Sequence, residues 1–232
     1  MSDTRKMFDR IAPSYDRLNH LMSLNVDRRW RKRSLRYIVD GTPQRILDVA
    51  CGTGDSTIAA AKAAAPGSTV VGVDISEGMM AMVMDKASKE GVEDRIQLQV
   101  ADGEALPFPD GSFDRVSCAF GIRNFTDRAR GLSEFYRVLA PGGKVVILEL
   151  SIPRNRMVRF FYDLYFSHIL PWIGGLVSGD KAAYRYLPAS VHSFPPPEEF
   201  MGMLSAAGFS SPFHRSLSFG LCRLFVGEKS CS

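Results

Sequence analysis

Eight residues, Asp48-Val-Ala-Cys-Gly52-Thr53-Gly54-Asp55, set two carboxylates around a pair of glycines. The apolar pair Ile46-Leu47 precedes them and an alanine-rich segment, 56–65, follows. That order predicts a buried strand, a tight turn and a helix start. Gly52 and Gly54 let the backbone turn sharply and let a ligand approach without meeting a Cβ. The helix beyond presents unpaired N–H groups at its start. Further polar residues follow apolar runs in the same way. Asp74 closes the run 69–73, twenty residues after Gly54, and Asp102-Gly103 follows the run 96–100. Arg123 and Asn124 follow the run 113–120. In open α/β sheets, ligands collect beyond the carboxyl ends of the strands, so these are the candidate binding and catalytic residues.

The acids narrow the ligand. A dinucleotide fingerprint requires a third glycine, and Thr57 stands at that place. A pyrophosphate also avoids nearby anions, yet Asp48 and Asp55 bracket the loop. Two carboxylates suit a ligand with cationic character. S-adenosylmethionine carries a sulfonium and an ammonium and no phosphate, so it is the expected cofactor, and a nicotinamide cofactor is disfavoured. Asp48, Gly52 and Gly54 would surround it, with Asp74 accepting the two ribose hydroxyls. A glycine pair alone also serves as an ordinary turn at a strand end; the acid at the next strand end separates the two readings.

These residues need a scaffold of alternating strands and helices. Pro66-Gly67 stops the first helix, a second helix is expected over 77–90, and Gly91 closes it. After the fourth strand, 113–120, a helix over 128–139 leads to Pro141-Gly142-Gly143, which turns into a fifth strand, 144–150. Five such alternations predict a doubly wound, mostly parallel sheet. Pro195-Pro-Pro opens a last helix, closed by Gly208. Two strands, 213–217 and 221–226, then form an antiparallel edge. The chain reads as one domain, 1–232: an N-terminal helical flap (1–42), a cofactor-binding core (43–150), a helical aromatic lid (151–195), and a last helix with edge strands (196–232).

The 232 residues are 45% hydrophobic and 23% charged, ordinary values for a globular chain. The net charge of +4 is uneven: residues 1–40 hold ten basic and five acidic residues, and the rest hold nineteen and twenty. Six of the residues 28–36 are basic, with Trp30 among them. On a helix this run is either a solvated face or a contact for anionic lipid. No nucleic-acid readout motif accompanies it. Four cysteines without metal or pairing spacing fit a reducing cytosol, with no metal expected. No run reaches the length of a membrane span. Tyr15, Asp16, Asn19 and His20 form a polar cluster in the flap. Nine aromatic residues between Phe160 and Phe194 are read as an apolar lid for a greasy substrate.

Several stretches together carry a resemblance. Phe8-Asp9-x-Ile-Ala-x-x-Tyr15-Asp16-x-x-Asn19, the Asp48–Asp55 stretch, Phe120-Gly-Ile-Arg-Asn124, Tyr136-Arg-Val-Leu-x-Pro-Gly-Gly143 and Tyr184-Arg-Tyr-Leu187 occur in this order. The chain thereby resembles the quinone-biosynthesis C-methyltransferases, of the menaquinone and ubiquinone pathways, from about Phe8 to Gly227. The resemblance implies a class I S-adenosylmethionine-dependent methyltransferase fold, Rossmann-like in its α/β sheet. It implies cofactor contacts at Thr53, Asp74, Asp102 and Gly103, with Asp102 accepting the adenine amino group. A family position that is commonly serine is Ala119 here, so a hydroxyl contact is lost. The implied substrate is a prenylated quinol, most often demethylmenaquinol, with the ubiquinone-pathway benzoquinol as the alternative and a small soluble substrate behind both. Arg123 would stabilise the quinolate oxygen, Tyr15 or a water held by Tyr15 and Arg123 would relay protons, and Asn124 is a further catalytic candidate. The expected location is the cytoplasm, peripherally on the membrane surface. No nucleic acid is expected, and a homodimer stays open.

Overall fold

The computed structural model describes residues 9, 23, 25–165 and 181–231, and of 181–185 the backbone only. Among the described residues, seven strands make one sheet: β1 (Arg45–Val49), β2 (Thr69–Asp74), β3 (Ile96–Val100), β4 (Phe113–Ala119), β5 (Leu139–Leu150), β6 (Ser210–Leu217) and β7 (Cys222–Glu228). Their order is β3-β2-β1-β4-β5-β7-β6. β1 to β5 run parallel; β7 is antiparallel to both β5 and β6. The strand order reverses between β1 and β4, which opens a crevice at their carboxyl ends.

The helices are α1 (Val26–Ile38), α2 (Asp55–Ala63), α3 (Glu77–Met80), α4 (Val83–Lys89), α5 (Arg128–Val138), α6 (Arg156–Leu164), α7 (Lys181–His192) and α8 (Pro197–Ala206). Strand side chains alternate between two helical layers. On β5, Val145 and Ile147 join a core with Phe135 of α5 and Phe200 of α8. Val146 and Leu148 point the other way, into a core with Trp30 of α1 and Ile58 of α2. β2 reads as an apolar run because both of its faces are covered, whereas the edge strand β3 alternates with exposed glutamines.

Two expectations shift. The helix expected over 77–90 is two helices, with Ala81 and Met82 between them. Val83 opens the second and lies against Gly54, where a Cβ would come within 2.6 Å of its Cγ1. The fifth strand begins at Leu139, not at residue 144. Pro141-Gly142-Gly143 interrupts its pairing with β4, which resumes at Arg115 opposite Lys144. Gly142 and Lys229 then tie the interruption to the chain after β7: Gly142 N–H donates to the Lys229 carbonyl, and Lys229 N–H to the Gly143 carbonyl, both at 2.8 Å.

Of the flap, Asp9 and Ser23 are described; Tyr15, Asp16, Asn19 and His20 lie outside the described residues. So does Trp172 of the lid.

Candidate active site

A cleft opens at the carboxyl ends of β1, β2 and β4. It is lined by residues from Asp48 to Thr53, by Asp55 and Ser56, by residues from Ala101 to Glu104 and from Ala119 to Gly121, and by Asp74, Asn124 and Arg31. The predicted loop is its floor. Gly52 and Gly54 have φ of 55° and 85°, in the left-handed region that glycine tolerates. Ala50 and Phe120, at the ends of β1 and β4, share that conformation with φ of 55° and 61°. Non-glycine residues are uncommon there. The close approach of the two turns is visible at Gly121, where a Cβ would sit 2.4 Å from that of Ala50.

Asp48 is buried under the loop. Its carboxylate accepts from the hydroxyls of Thr57 and Ser117, each at 2.6 Å. Ser117 stands beside it in the β1–β4 register. Thr57, the residue that breaks the dinucleotide pattern, therefore fastens α2 to β1. Burial pushes the Asp48 carboxyl up, while the hydroxyls and the charge of Arg31 pull it back. Asp55 is paired with Lys86 at 2.6 Å, and Lys86 also donates to the Thr53 carbonyl at 3.0 Å.

Asp74 reaches across from β2. Its two oxygens accept the backbone N–H groups of Gly52 and Ser76, each at 2.9 Å. The carboxyl is raised by burial, against these backbone donors. Each oxygen keeps a further acceptor site, as a ribose diol requires. Ser76 also donates to Asp9. Asp102 accepts from Glu104 N–H at 2.9 Å. At Gly103 a Cβ would strike Phe125 at 2.4 Å and Val49 at 2.8 Å, so its missing side chain makes room for the packing that shapes the cleft wall.

Thus Asp48, Gly52, Thr53, Asp74, Asp102 and Gly103 converge on one cleft, with Asn124 at its other side, while Gly54 caps α2 and packs against Val83 rather than lining it. Asn124 Oδ1 accepts from the Tyr186 hydroxyl at 2.9 Å. Arg123 does not face the cleft as expected. It is 6% exposed and is not among the lining residues. Its guanidinium donates to Glu149 at 2.8 Å, to the Phe120 carbonyl, and to Ser190 at 3.3 Å. The reason is a fully buried acid on β5: Glu149 has no water, and an arginine is the partner that fits. Glu149 also accepts Arg123 N–H at 3.2 Å, which fixes the turn carrying Asn124.

Arg31 also moves from its expected place. Arg28, Arg29, Lys32, Arg33 and Arg36 form the exposed face of α1, but Arg31 turns inward. It donates to Ser56 and lies over the Phe120 ring, 5.0 Å from the centroid. At helical spacing Asp27, Trp30 and Ser34 are buried, and Arg31 borders that stripe. Glu149, Tyr186 and Arg31 were missed from the sequence. Glu149 had a signal: a lone acid in the apolar run 145–150 demands a buried partner.

Among the described residues no three His, Cys, Asp or Glu side chains gather to hold a metal, and no helix is long and apolar enough to cross a membrane.

A family model described as the ubiE/COQ5 methyltransferase family matches residues 2–229. The ubiquinone/menaquinone biosynthesis C-methyltransferase UbiE of Geobacter sulfurreducens is 49% identical, over 97% of this chain and 88% of its own length. The demethylmenaquinone methyltransferase of Thermus thermophilus is 48% identical, over 96% of this chain and 100% of its own. Among solved structures, an S-adenosylmethionine-dependent methyltransferase of Thermotoga maritima superposes with a TM-score of 0.67 at 19% identity, covering 97% of this chain and 99% of that one. That likeness is one of fold.

Proposed function

The chain belongs to the ubiE/COQ5 methyltransferase family, and from that premise we propose that it methylates a ring carbon of a demethylated prenyl quinol, with S-adenosylmethionine as methyl donor. Demethylmenaquinol is the first substrate to test and the ubiquinone-pathway benzoquinol the second. The observation that carries the reading is the cleft itself, whose strand-end acids suit a cationic adenosyl ligand. Among the described residues, five acids line it against one guanidinium, a set of side chains that repels a pyrophosphate. The residues fit the cofactor.

When bound, S-adenosylmethionine supplies a methyl group on a positively charged sulfur. The chain's own residues have three tasks. The first is binding: Asp74 takes the ribose hydroxyls and Asp102 the adenine amino group, over the backbone of the Gly52–Gly54 turn. The second is orientation, since methyl transfer depends on close alignment of carbon and methyl more than on acid catalysis. Asn124 serves it: Tyr186 occupies its carbonyl oxygen, which leaves the amide N–H groups to hold a quinol oxygen. The third is electrostatic. The ring carbon becomes nucleophilic when a quinol oxygen loses its proton, and a donor aimed at that oxygen stabilises the charge. Arg123 acts on this step as a positioning residue: with Glu149 it locks the turn from which Asn124 projects. Tyr15 is retained as the group that relays the proton.

A prenyl tail stays in lipid, so the protein works at a membrane surface. The cleft edge of the sheet has features that support this. α6 leaves β5 at that edge and exposes Met157, Phe160, Phe161 and Leu164, an apolar stripe at helical spacing. Phe219, in the turn between β6 and β7 at the same edge, is 84% exposed. Trp30 of α1 donates to Ser218 in that turn at 2.9 Å, which sets the basic face of α1 beside it. Apolar side chains next to exposed arginines suit an anionic bilayer surface.

Purified protein given both demethylated precursors in vesicles, with S-adenosylmethionine, tests the reading by mass spectrometry of the products. Methylated naphthoquinol is expected first. Methylation of neither precursor would refute the substrate class.

A further inference from the structure

Among the described residues, six charged ones line the cleft: Asp48, Asp55, Asp74, Asp102, Glu104 and Arg31. The acids have visible work within the fold. Asp48 holds Thr57 and Ser117, Asp55 holds Lys86, and Glu104 accepts Thr126 N–H at 2.7 Å. Arg31 is different. It is the one cation among the described lining residues, and its anchoring is light. One nitrogen donates to Ser56. Asp27 forms a loose ion pair with Nε at 3.9 Å, without a hydrogen bond. Nε is buried and has no hydrogen-bond partner. A guanidinium carries five N–H donors in a planar fork, and this one is turned toward a cleft otherwise lined by acids.

We infer that Arg31 forms a carboxylate subsite, which takes the α-carboxylate of the methionine part of S-adenosylmethionine. The inference rests on the methyl-donor reading above. A ligand with a sulfonium and an ammonium is welcome among acids, but its carboxylate is not, and it needs a cation. Only Arg31 supplies one among the described lining residues. Its position agrees with the strand order. Asp102 follows β3 and Asp74 closes β2; Arg31 lies further on, between Ser56 beyond β1 and Phe120 beyond β4. An adenosyl amino acid laid from β3 toward β4 puts its amino-acid end there. The first turn of α2, which contains Ser56, adds its N-terminal dipole in favour of an anion. The Phe120 ring, centred 5.0 Å from the guanidinium carbon, adds a cation–π attraction that favours this position.

The test separates the carboxylate from the rest of the ligand. Calorimetry on the full chain would compare S-adenosylmethionine with decarboxylated S-adenosylmethionine, which keeps the sulfonium and the ammonium. Arg31→Met is expected to weaken S-adenosylmethionine by about ten- to a hundredfold, the scale of a lost charge-assisted hydrogen bond. Its affinity for the decarboxylated ligand should stay within about twofold, which also reports that the cleft is folded. Arg31→Lys should fall between, because it keeps the charge and loses the fork. Equal losses for both ligands, or no loss for either, would overturn the subsite. Wild-type protein that binds neither ligand would overturn the methyl-donor reading and the subsite together.

Discussion

Arg123 donates to Glu149 at 2.8 Å in a pair from which water is almost wholly excluded. The pair joins the turn after β4 to the end of β5. Neither ion is stable there alone, because removing one partner strands a buried charge. Glu149→Ala is expected to cost about 3–5 kcal/mol in urea unfolding. The double variant Arg123→Met/Glu149→Leu should recover much of that loss, since both charges leave together. A Glu149→Ala protein as stable as the wild type would mean that water reaches the pair. In turnover, Arg123→Met should fall through the displaced Asn124 turn, and S-adenosylmethionine affinity should hold.

Asp74 connects the loop and the ligand. Asp74→Asn keeps the shape but replaces one acceptor oxygen by a donor facing Gly52 N–H or Ser76 N–H. A loss of about 1–3 kcal/mol in S-adenosylmethionine binding is expected by calorimetry. Unchanged affinity would remove Asp74 from the ribose site.

The membrane surface can be dissected by charge and by apolar area. Sedimentation with anionic vesicles should show binding that weakens with added salt. Replacing Arg28, Arg29 and Lys32 by glutamate should abolish the salt-sensitive part, at about 1 kcal/mol per basic residue. Phe160→Ser with Phe161→Ser should remove the salt-resistant part. Arg31→Met is the control: it faces the cleft, and vesicle binding should ignore it. Binding indifferent to both sets of changes would place the contact elsewhere.

The buried Asp48 carboxyl gives a pH signature. Its folded value lies above the ordinary 3.8, with burial as the main cause. The folded state therefore holds the proton over a range where the unfolded chain has released it. Stability from this group is greatest below 3.8 and declines as pH rises through the raised folded value, then levels. Asp48→Asn should lose that decline. Urea unfolding from about pH 4 to pH 8 would show a flatter profile in the variant, and identical profiles would contradict the assignment.

The sheet was legible because its strands write short runs rich in apolar residues, with an acid at or just past the carboxyl end of β1, β2 and β3. Asp48, Asp74 and Asp102 could be placed for that reason alone. The inward or outward aim of a side chain was less legible. Arg31 and Lys32 are adjacent basic residues on one helix, yet one turns to the cleft and the other to solvent, and composition treats them alike. Arg123 sat in the right turn but pointed away from the expected partner. Its direction is set by Glu149, which lies 26 positions further along the chain. The split at Ala81 and Met82 was hidden because both residues favour helix. Val83, which opens the second helix, packs against Gly54 of a distant segment, and no local pattern writes that contact.

β7 lies between β5 and β6, buried along its length except at Glu228. Of the seven strands it is the last to be synthesised. Lys144 meets its partner Glu228 only when that final strand emerges, so the edge of β5 stays open through most of translation. An open, apolar strand edge is a template for wrong pairing, and such long-range closure is slow. The vulnerable moment for this protein is therefore its birth. Faults in β7 should appear as lost soluble yield in the cell, while the molecules that do mature carry a cleft of normal chemistry.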